Sequence, residues 1–216
     1  MDFEQLKHKQ REIRDGFSES LGLRVHRSLS WLNRSEQCDD DLDSQFIFLW
    51  IAFNAAYSQD TDTIRLTETQ SFQLFVQKLC ELDQQKQIHH LLWTEFSSSI
   101  RLLIDNHYVF QPFWEYHSGK ITEQSFKELF EKAKVRANKA LGQSNSPEVL
   151  TVILSRLYTL RNQIMHGGAT WQSSANREQL RDAVCFLSKL VPILINIMMD
   201  NSNSLWGDAN YPLITR

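Results

Sequence analysis

Apolar positions recur at steps of three and four along most of the chain, and nearly every long segment reads as helix. Leu150, Ile153, Leu157, Leu160 and Ile164 form one such stripe, the core-facing side of an amphipathic helix over about 148–166. Leu21, Val25, Leu29 and Leu32 do the same for 18–36. Leu180, Val184, Leu187, Val191, Leu194 and Met198 mark a last helix over 176–199, and Phe186, Leu190, Ile193 and Ile197 add a second stripe to it. Its C-terminal half is therefore apolar nearly all round, with Pro192 expected to kink it. A helix with two apolar faces is either sandwiched inside one monomer or half of a dimer interface. From Phe46 to Tyr57 almost every residue is apolar, which predicts a helix over 42–58 buried on most sides at the centre of the core. Asp39, Asp40 and Asp41 precede it and complement a positive helix start.

Weaker patterns predict helices near 67–84, 86–106 and 122–141, and a polar first helix over 3–15 lying loosely on the surface. Ser58–Leu66 reads as a linker. The stretch His107–Gly119, HYVFQPFWEYHSG, reads as an aromatic-rich connection punctuated by Pro112 and Gly119. Pro147 suits a helix start. Seven glycines and four prolines in 216 residues are few for an all-β chain, so composition and periodicity agree on one all-α domain.

Charge and cysteine content narrow the chemistry. A formal net charge of -3 gives no general attraction to nucleic acid, so any RNA binding has to come from a local basic patch. Arg24, Arg27, Trp31 and Arg34 fall on one side of the second helix and suit phosphates and a stacked base; the alternative is a solvated face with Trp31 tucked against a neighbour. Cys38, Cys80 and Cys185 have no CxxC or metal-ligand spacing and read as reduced thiols of a cytoplasmic protein. His89, His90, His107 and His117 lack companion carboxylates or cysteines at ligand spacing, so no metal and no cofactor is expected. The charged N-terminus has no apolar run of a signal peptide, and the apolar runs 46–57 and 190–199 are each too short to span a bilayer.

The most informative stretch is Ser155–Gly168, SRLYTLRNQIMHGG. At 100° per residue Tyr158, Asn162 and His166 line up opposite the apolar stripe, while Arg161, about 140° from His166, sits at the stripe's edge with a side chain long enough to bend toward a phosphate held there. Gly167 and Gly168 are the expected helix stop. That leaves His166 at a helix C-terminus, where the dipole favours imidazolium. Asn54, an amide in the apolar third helix, needs hydrogen-bond partners, either structural or in a polar cluster with Asn162 and His166.

Arg161, Asn162 and His166, followed by Gly167, resemble the R-N-x-x-x-H signature of HEPN domains. Two further stretches agree: RVHRSLSWLNRSEQ at Arg24–Gln37 and DLDSQFIFLWIAFNAAY at Asp41–Tyr57, the latter similar to an Apea-like HEPN branch. The resemblance implies an all-α HEPN-like helical bundle, with its core in about 17–59 and 147–199, a helical insertion over 60–146 and a polar tail over 200–216. It also implies a homodimer and, in many members, metal-independent endoribonuclease activity in toxin, antiviral defence or RNA-processing roles; other members are catalytically silent modules binding RNA, nucleotide or a partner protein. Arg161, Asn162 and His166 would be catalytic, Arg24, Arg27, Trp31, Arg34 and Tyr158 would contact RNA, and Asn54 and Tyr57 would support the site. RNA, a second copy and an antitoxin or regulatory protein are the expected partners, with no membrane. HEPN toxins paired with nucleotidyltransferase antitoxins usually carry a modifiable Tyr two residues after the His. Here that position is Gly168, which argues against that mode of control.

Overall fold

The computed structural model describes the chain except Asp39, residues 58–67, Ala175, Asn210, residues 212–216 and the side chains of 68 and 69. The predicted linker and the end of the tail thus lie outside the described residues. Among the described residues the fold is all-α, and the chain divides into two compact units, residues 1–87 with 183–216, and residues 88–182. The HEPN resemblance groups 147–199 with 17–59 and sets 60–146 apart. Contacts instead place the motif helix with the helices between 88 and 142.

In the first unit, α1 (Phe3–Ile13) opens with a capping box, Asp2 and Gln5 each bonding the other's backbone N–H. It does not lie loosely: Leu6 and Gln10 are buried, and Lys9 donates to Asn196 Oδ1 at 2.7 Å and pairs with Asp200 at 2.5 Å. Helix α2 (Glu19–Glu36) packs along α3 (Leu42–Tyr57). Leu21, Val25, Leu29 and Leu32 bury their stripe against Phe46, Leu49, Trp50 and Phe53. Asp41 starts α3, accepting from the Ser44 N–H at 3.2 Å and its hydroxyl at 2.6 Å. A further helix, α4 (Glu68–Leu82), follows.

The second unit holds α5 (Gln87–His90), a π-helical turn over Leu91–Glu95, α6 (Ser97–Asp105), α7 (Gln111–His117), α8 (Glu123–Gly142) and α9 (Ser146–Met165). Pro112 starts α7 rather than interrupting a loop. Phe113 at its centre meets the rings of His107, Tyr108, Trp114, His117 and Phe126 within 5.6 Å. Beneath α9, the buried Arg156 lies over the Phe110 ring at 4.2 Å and the Phe130 ring at 5.7 Å.

The last helix, α10 (Arg177–Asp200), runs through Pro192 without a break. Phe186, Leu187, Leu190, Val191, Leu194, Ile195, Ile197, Met198 and Met199 are all buried by this single chain, so the sandwiched alternative holds and these residues are not free to form a dimer face. By length and composition α10 passes for a membrane span, with mean hydropathy 1.7 over 18 residues, but 72% of that window is buried in the protein, as in a core helix.

The thiols differ sharply. Cys38 is buried and Cys185 exposed, while burial, with Asp83 and Glu81 adding to it, pushes the Cys80 thiol up to about 12. Titration of the native protein with a thiol-reactive disulfide at pH 8 should therefore show one fast-reacting group, Cys185. All three should react once the protein is unfolded in guanidinium.

Candidate active site at the end of the motif helix

Helix α9 begins at an Asn145 cap, whose side chain accepts from the Glu148 N–H. Val149, Leu150, Ile153, Leu154, Leu157 and Leu160 are buried. That packing leaves the opposite face outward: Tyr158 and His166 are exposed and Asn162 half-buried, as the helical wheel requires.

The end of α9 is a Schellman stop. The Gly168 N–H donates to the Gln163 carbonyl at 2.7 Å and the Gly167 N–H to the Ile164 carbonyl at 3.2 Å, satisfying carbonyls that the helix leaves without partners. Gly167 has φ +72°, the left-handed region in which a Cβ is unfavourable. A Cβ on Gly168 would sit 3.0 Å from the Gln163 carbonyl oxygen that its own N–H bonds. Gly167→Ala should therefore lower stability by about 1 kcal/mol, seen as a lower urea midpoint, with Gly167→Asn losing less.

His166 is the C-cap residue, its N–H bonded to the Asn162 carbonyl at 3.0 Å. Its imidazole makes no hydrogen bond, ion pair or ring contact with the described residues. Arg161 donates through Nη1 to Asn162 Oδ1 at 3.0 Å, its Nε is buried without a partner, and no described carboxylate pairs with it. The Asn162 amide oxygen is thus used by the guanidinium, and Asn162 Nδ2 is the group left to serve the imidazole or a bound oxygen.

The basic face expected on α2 is largely occupied. Arg24, read as an RNA contact, is instead 1% exposed. It donates to the carbonyls of Ala56, Tyr57, Trp206 and Gly207, closing the C-terminal end of α3. Burial lowers its pKa to about 10, which still leaves it charged at neutral pH. It cannot meet a phosphate from there. Arg27 donates to the Tyr211 carbonyl at 2.5 Å. Trp31 stacks on Phe48, with centroids 5.5 Å apart, and the exposed Arg34 lies over the same ring at 5.1 Å, so these two alone keep an outward cation–aromatic pair. Asn54 is half-buried. Tyr57 stacks on Phe53 and meets the edges of Phe72 and Phe75, a core role.

Sequence reasoning passed over Gln163. Its side chain donates to the Tyr108 carbonyl at 2.7 Å and accepts from Asn176 Nδ2 at 2.8 Å. One residue beside Asn162 thereby ties the motif to the turn before α7 and to the segment before α10. Nothing in its helical position announces this, because both partners are remote in sequence. Among the described residues no group of three or more His, Cys, Asp or Glu could hold a metal ion. Compared with family models, curated proteins and solved structures, the chain finds no match.

Proposed function

We propose that the protein is an endoribonuclease of the HEPN type, cleaving RNA by attack of a ribose 2′-OH on the adjacent phosphate without a metal ion. The observation that carries this reading is the outward end of α9: an exposed imidazole without a partner among the described residues, one turn from an amide that holds a guanidinium, and no described carboxylate paired with that guanidinium. Arg161 would bind the scissile phosphate and stabilise charge building on its oxygens, a task suited to a guanidinium fork. His166 would take the 2′-OH proton, or give a proton to the leaving 5′-oxygen. One imidazole does not readily perform both transfers in one turnover. A homodimer bringing two such helix ends to one cleft would supply the second. A cytoplasmic toxin, defence or RNA-processing role fits this chemistry, with an antitoxin or other regulatory protein as a further partner.

The test is incubation of the purified protein with total RNA in EDTA, followed by analysis of the fragment ends. Fragments ending in 2′,3′-cyclic phosphate are expected. An intact RNA population, or cleavage only on adding a divalent ion, would sink the proposal and leave a silent binding module.

A further inference from the structure

The motif helix grips one segment of the second unit at two points. Arg156, on the inner side of α9, donates from Nη2 to the Ile104 carbonyl at 3.4 Å. Gln163, two turns later, donates to the Tyr108 carbonyl at 2.7 Å. Between these points Val109 is buried, and the Arg156 guanidinium lies 4.2 Å from the centre of the Phe110 ring. Residues 104–110 thus form a brace along the helix that carries Asn162 and His166. The Arg156 clamp is incomplete. Arg156 is 4% exposed, its Nη1 is buried without a hydrogen-bond partner, and no described carboxylate pairs with it. Burial lowers its pKa to about 10, so it stays charged at neutral pH. A charged nitrogen shut away from water without an acceptor is costly.

The acceptor that Arg156 lacks stands one residue away. Asp105 follows Ile104 directly and ends α6, an acid at the helix terminus where the dipole disfavours it. Its carboxylate is turned outward to Lys134 Nζ of α8 at 2.8 Å, with the Asp105 side chain 60% exposed and that of Lys134 29%. Lys134 and Arg156 each lie 5.7 Å from the Phe130 ring, so two cations that share an aromatic neighbour compete for one carboxylate. In standard backbone geometry the Asp105 Cα lies about 2.8 Å from the Ile104 carbonyl oxygen, hence within about 6 Å of the Arg156 nitrogen bonded to that oxygen. An aspartate oxygen reaches about 3.5 Å from its own Cα, which leaves about 2.7 Å, the length of a charge-assisted hydrogen bond. A change of side-chain rotamer covers the distance.

We infer that Asp105 is a two-position carboxylate, paired outward with Lys134 or inward with Arg156, and that the inward position tightens the brace on the motif helix. Outward, the carboxylate keeps its water. Inward, a charge-assisted bond joins the long one to the Ile104 carbonyl, and the guanidinium's free nitrogen gains an acceptor. Lys134 is not stranded by the exchange. The bond from Asp105 raises its pKa, and Glu131, one turn earlier on α8, adds to the effect, so that second carboxylate remains to serve it. The two positions respond differently to salt. Ionic screening weakens an exposed pair far more than a buried one. Rising ionic strength, or neutralisation of Lys134, therefore drives the carboxylate inward and fixes the Tyr108 carbonyl against Gln163. Arg156 and Asp105 are positioning residues that touch no substrate, and the device is independent of the ribonuclease reading.

Amide hydrogen exchange of the full-length protein, read by NMR at Phe110, provides the test, because the Phe110 N–H is bonded to the His107 carbonyl at 3.0 Å within the brace. Lys134→Gln should slow exchange there about 3- to 10-fold, and Asp105→Asn should speed it by a similar factor. In about 1 M sodium chloride, where the exposed pair is screened, the wild type should approach Lys134→Gln while Asp105→Asn stays fast. A plain surface ion pair gives a different pattern: both substitutions speed exchange equally, and salt speeds it in the wild type. That pattern, or exchange that neither substitution alters, overturns the inference. Arg156→Met should abolish the effect of Lys134→Gln, and an effect that survives it counts against the inward pairing. Should Arg156→Met fail to fold, a crystal structure of Lys134→Gln decides: the Asp105 carboxylate should lie within hydrogen-bond distance of Arg156 Nη1, and a carboxylate left in solvent overturns the proposal. None of these readouts requires RNA.

Discussion

His166→Ala is expected to lower RNA cleavage by about 10²- to 10⁴-fold, the range of a lost general acid–base group, with little change in thermal stability. The ring is exposed and without partners among the described residues, so its removal opens no cavity and orphans no buried atom. The backbone of position 166 remains held through Asn162. Two measurements separate chemistry from folding: single-turnover cleavage of a defined RNA, and the thermal unfolding midpoint. If the variant cleaves at the wild-type rate, catalysis lies elsewhere. Arg161→Lys is the sharper companion. It keeps a positive charge but loses the guanidinium fork and its bond to Asn162, so a rate well below wild type would point to bidentate phosphate contact rather than simple attraction.

Arg24→Ala should destabilise the first unit by about 3–5 kcal/mol, because several buried carbonyls lose their donor at once and a cavity opens where the side chain lay. Arg24→Lys should recover only part of this, since one ammonium cannot reach acceptors on both Ala56 and Trp206 in the geometry of the planar fork. Denaturant unfolding of each variant measures the loss. A change under 1 kcal/mol on Arg24→Ala would mean that water or another side chain replaces the guanidinium with ease.

The same residue shows where sequence reasoning works and where it stops. The stripes of α2, α3, α9 and α10 were legible because each buries one unbroken set of apolar positions, and the double stripe of α10 correctly announced burial on several sides. Arg24 was misread as part of an outward arginine face. Its spacing carried the warning: Arg24 stands three after Leu21 and four before Ser28, both buried, so it lies on the core stripe itself. A buried arginine is rare enough that the pattern was overruled by residue type.

The break in the predicted 86–106 helix has a different cause. Leu92, Phe96, Ile100 and Ile104 are spaced by four and all buried, and on an ideal α-helix a strict four-residue step drifts by about 40° each time. The π-helical turn, with the Phe96 N–H bonded to the Leu91 carbonyl at 3.1 Å, widens one turn and keeps the stripe facing inward. At the candidate site, the outward face of α9 and its glycine stop were read from spacing. The bond from Gln163 to the Tyr108 carbonyl was not, because it depends on the segment before α7 returning to a motif helix 55 residues further along the chain.

The two units also differ in how their parts are strung along the chain. Residues 88–182 are continuous and leave the ribosome as one piece, whereas the first unit needs residues 183–207, whose carbonyls at Trp206 and Gly207 receive the Arg24 guanidinium. During synthesis that arginine waits without its later acceptors until residues 206 and 207 have been made, so the segment that carries it closes only after the whole continuous unit between them has emerged, the reverse of ordinary vectorial folding.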